Sequence, residues 1–247
     1  MAVTLFRTCL VDAVRPQVAK AAASALRRHG HVVEAPRGAT CCGQPAWNGG
    51  FVAEARRVAA RTLKALSRTS GPIVTPSGSC ATMIARHWPE LFAGTEREAD
   101  ARAVAGRTHE LTQFLAPDTA DAAAAPAAVG EVGAGDAAVA LHHPCHALRE
   151  LGVKEQPRRL LAAAGWRVVE PPGAERCCGF GGTFSVKLPA VSTAMADDKL
   201  DELVASGAGR VAACDLSCLL HLEGRAASRR LPLRFEHVAA LLDGPRA

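Results

Sequence analysis

Residues 177–187 read CCGFGGTFSVK, and residues 41–50 open with the same doublet in CCGQPAWNGG. Each doublet lies between one upstream and one downstream cysteine, and the intervals repeat: 41 − 9 = 32 and 177 − 145 = 32 before the doublet, then 80 − 41 = 39 and 218 − 177 = 41 after it. The sequence therefore predicts a duplicated unit. We call the two groups of cysteines the first thiol set, Cys9, Cys41, Cys42 and Cys80, and the second thiol set, Cys145, Cys177, Cys178 and Cys218.

Both halves of the chain repeat one order of predicted elements. In the first half, short apolar runs at residues 2–8, 31–36 and 72–77 predict strands, and apolar residues at helical spacing follow Pro16 and Phe51. The same alternation returns in the second half. Strands that alternate with helices predict an α/β fold with a mainly parallel sheet in each half.

The predicted organisation is two similar cysteine-rich units, residues 1–115 and 137–247, related by internal duplication. They are joined by residues 116–136, a linker rich in Ala, Pro and Gly. In parallel sheets the ligand site lies beyond the carboxyl ends of the strands. Every cysteine of both thiol sets falls just after a predicted strand, so we expect each half to gather four thiols at one edge of its sheet.

Composition limits the class of protein. With 49% hydrophobic and 21% charged residues, the chain is typical of a globular protein, and no run approaches the ~18 apolar residues that span a bilayer. The N-terminus lacks the pattern of a secretory signal, so we expect a cytosolic protein whose reduced cysteines bind metal or act in catalysis. The net charge of +5 comes from scattered arginine pairs, which argues against nucleic-acid binding.

Four converging thiolates suit either zinc or an iron–sulfur cluster. Neighbouring Cα atoms are about 3.8 Å apart, so adjacent cysteines reach one ion only with strain, whereas a polynuclear cluster offers each sulfur a separate iron. We expect Gly43 and Gly179, which follow the doublets, to let the backbone approach an inorganic ligand. An iron–sulfur cluster in at least one half is favoured; zinc alone, or structural or redox-switch thiols, are the alternatives.

Several strings resemble a known family. The order of one cysteine, CCG and a final cysteine resembles the CCG-type cysteine-rich domain, which occurs twice in the cysteine-rich subunit of heterodisulfide reductase and in related iron–sulfur oxidoreductase subunits. Finer strings are similar to the lactate-utilization protein A family and cover nearly the whole chain except the linker. They are CCGQPAWNGG, TPSGSC (75–80), HHPCHALRELGVK (142–154), CCGFGGTFSVK and DLSCLLHLEGR (215–225).

The resemblance implies an iron–sulfur oxidoreductase subunit of a cytosolic system that oxidises L-lactate to pyruvate. It implies two further partner subunits, one of which carries ferredoxin-type clusters, and L-lactate as the small-molecule substrate of the complex. It also implies that the eight cysteines of the two thiol sets are the ligands of the clusters.

The sequence departs from the reductase pattern at one position in each half. The reductase ends each motif with CxxC, whereas Ser77 and Asp215 stand here in place of the first of these cysteines. A four-iron cluster is therefore at least as plausible here as the noncubane cluster of the reductase. Zinc bound in one of the two halves is a further alternative. Asp215 is interpreted as a helix N-cap, with oxygen ligation as the alternative. Cys214 is interpreted as a small buried residue.

Histidines surround the second thiol set in HHPCH, residues 142–146. We expect His146, Ser77 and Asp215 to lie around the ligands. His146 would donate a hydrogen bond to a sulfur, and ligation of a cluster by a histidine is the alternative. His142 and His143 are assigned to the core or the surface. Two further histidines, His109 and His237, are expected to open matching terminal helices in a structural role.

The sequence offers no site for an organic cofactor. The string GEVGAG, residues 130–135, lies in the linker without the strand and helix of a dinucleotide-binding unit. Because a cluster alone moves single electrons, we expect activity to need the partner proteins. Two other functions stay open: a zinc- or thiol-stabilised scaffold that docks the true dehydrogenase, and a disulfide reductase like the heterodisulfide enzyme.

Overall fold

A computed structural model describes residues 1–117 and 137–245, and it contains one sheet of four parallel strands in each half. The first sheet consists of β1 (Ala2–Leu5), β2 (Val32–Glu34), β3 (Ile73–Thr75) and β4 (Thr108–Glu110). The second consists of β5 (Ala138–Leu141), β6 (Arg167–Val169), β7 (Arg210–Ala213) and β8 (Arg234–His237). The strand orders, β2-β1-β3-β4 and β6-β5-β7-β8, are the same, and all pairings are parallel. The predicted fold class, two similar α/β units, is confirmed.

Short helices connect the strands of the first half. They are α1 (Cys9–Val14), α2 (Pro16–Arg28), α3 (Gln44–Asn48), α4 (Val52–Leu66), α5 (Gly78–Thr82), a π-helical turn (Met83–His87), α6 (Trp88–Leu91), α7 (Glu98–Ala105) and α8 (Leu111–Leu115). Pro16 is the first residue of α2 and Gly30, with a φ of 80°, follows its end. Proline suits the first turn because its missing N–H would have no partner there, and glycine tolerates the left-handed turn.

The second half repeats this pattern. Its helices are α9 (Cys145–Leu151), α10 (Glu155–Ala163), α11 (Thr183–Lys187), α12 (Pro189–Ala205), α13 (Leu216–Ser228) and α14 (Val238–Leu241). Residues 118–136, which include most of the predicted linker and all of GEVGAG, lie outside the described residues. The predicted unit boundaries at residues 115 and 137 stay predictions.

Two predicted strands are shorter than expected. β1 and β5 end at Leu5 and Leu141, and only one further amide continues the ladder in each half: Phe6 N donates to Val74 O and His142 N to Ala212 O, both at 2.9 Å. The chain then turns into α1 and α9, which the apolar pattern did not indicate because each helix has only one fully buried residue.

The prediction for the terminal histidines was wrong for one of the two. His109 lies within β4, and the residue that caps α8 is Glu110, whose carboxylate accepts hydrogen bonds from the amides of Thr112 and Gln113. His237 ends β8 and caps α14 through its Nδ1, which accepts from a backbone amide at 3.1 Å. Glu110, not His109, is therefore the counterpart of His237.

Apolar packing continues from one half into the other. Val3, Leu5 and Val74 of the first sheet form a buried cluster that includes Ala239 of α14. At a second place, Leu216 of α13 joins the cluster formed by α1 and α2. The cores of the two halves are therefore linked, although each half has its own sheet.

Two equivalent helix contacts position the halves. α5 packs against α9, and α13 packs against α1. The first contact is so close that a Cβ added to Gly78 would lie 2.5 Å from the Cβ of Ala147. Because α1, α5, α9 and α13 each begin beyond the carboxyl end of a strand, this arrangement brings the carboxyl edges of both sheets together.

None of the helices in the described ranges combines the length and the apolar character needed to cross a bilayer.

Candidate metal centre

The upstream cysteine of each thiol set begins a helix. Cys9 is the first residue of α1 and Cys145 is the first residue of α9. Thr8 precedes Cys9 with a φ of 51°, a conformation that residues other than glycine rarely adopt. Its hydroxyl accepts a hydrogen bond from the amide of Val11 at 3.4 Å, which caps the helix. Pro144 takes the equivalent place in the second half with an ordinary φ of −63°.

The downstream cysteine of each set lies in the first turn of a helix. Cys80 is the third residue of α5 and Cys218 the third residue of α13. Ser77 caps α5, since its hydroxyl accepts from the amide of Cys80 at 3.3 Å. Asp215 caps α13, since its Oδ1 accepts from the amide of Ser217 at 3.0 Å. The residues that replace a cysteine of the reductase pattern are thus helix caps in both halves.

The glycine of each CCG string is required by packing. Gly43 and Gly179 have φ values of 90° and 87°, in the left-handed region. A Cβ on Gly43 would lie 2.8 Å from the carbonyl oxygen of Ala55 in α4, and one on Gly179 would lie 2.6 Å from that of Ser192 in α12. These glycines let the doublet loop pack against the helix that follows it. Their predicted approach to an inorganic ligand stays a prediction.

Hydrogen bonds fix the doublets in place. The amides of Gly43 and Gly179 each donate to the first sulfur of their doublet, Cys41 Sγ and Cys177 Sγ, at 3.4 Å. In the first half, the indole Nε1 of Trp88 donates to the carbonyl of Cys42 at 2.9 Å. Such donors stabilise thiolate and orient the ligand before any metal binds.

Each set forms a chain of neighbouring thiols. Cys42 Sγ lies 3.3 Å from Cys80 Sγ, and Cys145 Sγ lies 4.0 Å from Cys177 Sγ. Thiolates around one tetrahedral zinc are about 3.8 Å apart, from a Zn–S bond of about 2.3 Å. The sulfurs are therefore close enough to share one metal ion or cluster.

The sulfur contacts polarise the central thiols. The pKa of Cys41 is lowered because the thiols of Cys42 and Cys9 donate hydrogen bonds to its sulfur. The pKa of Cys177 is lowered in the same way, by Cys145 and then Cys178. Metal ligands must be deprotonated, so each set holds one thiol already inclined to be a thiolate.

One cavity joins the two sets. It has a volume of about 360 Å³ and is lined by all eight cysteines, together with Ser77, His146 and Asp215. Its wall also contains Phe180, Gly181 and Gly182 of the second CCG string. The two thiol sets, each expected at one edge of its own sheet, thus face a common space.

The histidines of HHPCH lie in three different environments. His142 is buried beside Cys178 and Cys218, with the ligand atoms of all three within 4.8 Å of one another. Burial lowers the pKa of His142 to about 3. His143 is also buried, with Nε2 3.3 Å from Glu170 Oε1.

His146 is half-buried, and its Nδ1 lies 3.6 Å from Cys145 Sγ. The sequence placed His146 around the ligands and gave His142 no site role, although its ring lies beside two thiols. Aligning the two halves could have found it, since His142 then falls opposite Phe6, ahead of the first cysteine. Cys214 is buried, and the structure places it outside the cavity lining.

The sequence pattern of the CCG cysteine-rich domain matches residues 3–85 and 139–223. These two ranges hold one thiol set each, and the fold and the site thus define a protein with two CCG cysteine-rich domains. The chain is 42% identical over 246 residues to lactate utilization protein A of Geobacillus kaustophilus, covering 98% of this chain and 99% of the relative. It is 39% identical over 246 residues to lactate utilization protein A of Bacillus subtilis, with the same coverage. The chain belongs to the lactate utilization protein A family, which confirms the resemblance of its sequence strings.

Proposed function

We propose that this protein is an iron–sulfur oxidoreductase subunit of a cytosolic system that oxidises L-lactate to pyruvate. One observation carries the proposal: two equivalent sets of four thiols line one cavity. The names of its relatives, lactate utilization protein A, supply the substrate.

Each thiol set would hold one cluster. Four thiols is the number of protein ligands that a four-iron cluster takes. The ligands would be Cys9, Cys41, Cys42 and Cys80 in the first half and Cys145, Cys177, Cys178 and Cys218 in the second. When bound, such clusters accept and donate single electrons.

The chain's own residues would prepare the site for that role. The amides of Gly43 and Gly179 hold the first sulfur of each doublet. Asp215 and Ser77 hold the helices that carry the downstream cysteines. Leu10 and Phe180 contribute apolar side chains to the cavity wall, which would limit the water around the thiols.

Partner subunits are part of the proposal. The oxidation of L-lactate to pyruvate releases two electrons and two protons, which a one-electron carrier does not remove from the substrate by itself. We therefore expect two further subunits, one of which carries ferredoxin-type clusters. Val186, which is 80% exposed and lines the cavity, marks a surface by which a partner would approach.

Metal and sulfide analysis of anaerobically purified protein, with EPR of its oxidised and reduced forms, tests the cluster assignment. We expect iron and acid-labile sulfide and a brown colour.

Lactate oxidation with an artificial electron acceptor tests the role of the partners: we expect none from this chain alone and activity when the partner subunits are added. Robust lactate oxidation by the lone chain would contradict the subunit assignment.

A second candidate is a zinc-stabilised scaffold that docks the dehydrogenase. The sulfur separations of 3.3 and 4.0 Å favour it, since they lie on either side of the tetrahedral zinc value of about 3.8 Å. Under this candidate the purified protein is colourless and contains zinc without sulfide. The same metal analysis therefore decides between the two.

A further inference from the structure

The residue that follows the first strand of each half differs in chemistry between the two thiol sets. Phe6 and His142 are the residues that follow β1 and β5, and their amides donate to the neighbouring strand at the same distance, 2.9 Å. Both side chains are buried. Phe6 packs in an apolar cluster with Cys42 and Cys80. The same place beside the second set is occupied by an imidazole.

His142 has the features of a ligand. Its side chain is 1% exposed, and within the described part of the chain neither ring nitrogen has a hydrogen-bond partner. A buried polar group without a partner costs free energy, so such groups are rare in folded proteins. One ring nitrogen of His142 and the sulfurs of Cys178 and Cys218 all lie within 4.8 Å of one another.

We propose that His142 is a metal ligand of the second thiol set, beside Cys178 and Cys218. The second half then offers one nitrogen and four sulfur donors, whereas the first half offers four sulfurs and a phenyl ring. Imidazole and thiolate together bind zinc, iron and related transition metals. This inference rests on the proposed metal binding of the thiol sets and adds that the two sites are chemically unequal.

His146 is the competing nitrogen donor. It is half-buried, its Nε2 lies 3.8 Å from Glu150 Oε1, and its Nδ1 lies 3.6 Å from Cys145 Sγ. The Nε2 of His146 thus faces a carboxylate and its Nδ1 faces a thiol. His142 has none of these contacts, and it faces the buried sulfurs of the set rather than its rim.

The test measures coordination directly on the full chain. The protein is labelled with ¹⁵N-histidine, freed of metal under reducing anaerobic conditions and loaded with ¹¹³Cd²⁺, a diamagnetic probe that thiolates bind. We expect one imidazole to show one-bond ¹¹³Cd–¹⁵N coupling. His142→Phe, which copies the first half, removes the coupling and weakens Cd²⁺ binding at one site about tenfold or more. His146→Ala is the matched comparison and keeps the coupling.

Loss of the coupling in His146→Ala instead, or no coupling in the unchanged protein, would overturn the inference. His142→Gln serves as a second variant if the phenyl ring prevents folding. The iron analysis above separates this test from the proposed function. Coupling in a chain that carries no iron would leave His142 a ligand and refute the electron-transfer role. Iron and sulfide in the purified protein without ¹¹³Cd–¹⁵N coupling would support the electron-transfer role and refute the ligand role of His142.

Discussion

The carboxylate of Asp215 in the second half accepts a hydrogen bond from the backbone amide of Ser79 in the first half, at 2.7 Å. The same oxygen accepts the hydroxyl of Ser77 at 3.2 Å, while the other oxygen accepts the amide and hydroxyl of Ser217 at 3.0 and 2.5 Å. One buried side chain therefore caps α13 and ties it to the start of α5. These are the two helices that carry the downstream cysteines.

Asp215→Asn should destabilise the protein by about 2–3 kcal/mol, because its NH₂ group would face the Ser79 amide and leave a buried donor unpaired. Asp100→Asn is the control, since the Asp100 side chain is half-buried and its contact with Arg97 is a surface ion pair at 3.5 Å. Such pairs contribute about 0–1 kcal/mol. Urea unfolding followed by circular dichroism measures both changes. Equal effects would show that the contact between the halves contributes little.

The glycine of the first CCG string can be tested against a glycine of similar conformation. Gly43 and Gly50 have φ values of 90° and 80°, but a Cβ meets the Ala55 carbonyl at 2.8 Å only at Gly43, and nothing within 4 Å at Gly50. Gly50→Ala should cost about 1–2 kcal/mol for the left-handed backbone. Gly43→Ala should cost a further 1–3 kcal/mol or so, because α4 has to move. Thermal unfolding checks the difference; equal losses would exclude the packing explanation.

The sequence allowed the fold and the thiol sets to be predicted because both depend on local order. Apolar runs and helical spacing specify alternating strands and helices, and cysteines that follow strands must meet at the carboxyl edge of a parallel sheet. The N-cap interpretation of Asp215 agrees with the structure for the same reason, since a cap depends on the residues next to it.

The shared cavity could not be predicted in this way. It depends on the docking of α5 against α9, where Gly78 meets Ala147, and no periodicity within either half encodes that contact. The position of His142 depends on the fold in the same way, since the strand ladder turns its side chain toward Cys178 and Cys218.

Single cysteine changes test whether the two thiol sets are independent. Cys42→Ala and Cys178→Ala should each remove the metal of its own half and leave the other half loaded, which halves the metal content. Cys214→Ala is the control, because Cys214 is buried but does not line the cavity. Metal analysis of the three variants provides the measurement. Loss of all metal in either of the first two would indicate one cluster shared across the cavity, and no loss would exclude the doublets as ligands.

Glu110 should make stability depend on pH. Burial raises its pKa to about 7, against hydrogen bonds from Thr112 and Gln113 that lower it. Between the ordinary value of 4.5 and about 7 the unfolded chain has released this proton and the folded chain still holds it. Stability therefore falls as pH rises through that window, by on the order of 3 kcal/mol in all. Protonated Glu110 contributes its full stabilisation below pH 4.5, and this stabilisation is lost by the time the pH exceeds about 7.

Glu110→Gln should remove this contribution, because the amide keeps an acceptor oxygen and does not ionise. The difference in unfolding free energy between variant and unchanged protein, measured by urea unfolding from pH 4.5 to 8, should grow with pH in favour of the variant. Glu96→Gln, at an exposed position, controls for the loss of one charge. A difference that stays constant over the whole range would mean that Glu110 ionises normally.

The rim of the cavity should contact a partner protein. Val186 in α11 is 80% exposed and lines the cavity that holds both thiol sets. Electron transfer weakens steeply with distance, so a partner has to approach this side. Val186→Asp places a charge on the apolar rim of the cavity. Burying that carboxylate under a partner costs more than about 1 kcal/mol of binding free energy, so lactate oxidation by the assembled system should weaken about tenfold.

Val204→Asp is the matched control for that change. Val204 is 43% exposed and lies near the C-terminal end of α12, the helix that follows α11. It is about 20 Å along α12 from the first residue of that helix. Both variants should keep their metal and their melting temperature, because neither side chain belongs to the buried core. Partner binding, measured by calorimetry, and lactate-dependent reduction of an acceptor should then fall for Val186→Asp alone. Equal behaviour of the two variants would place the partner's contact elsewhere on the protein, since the same charge would then have had no effect specific to the cavity rim.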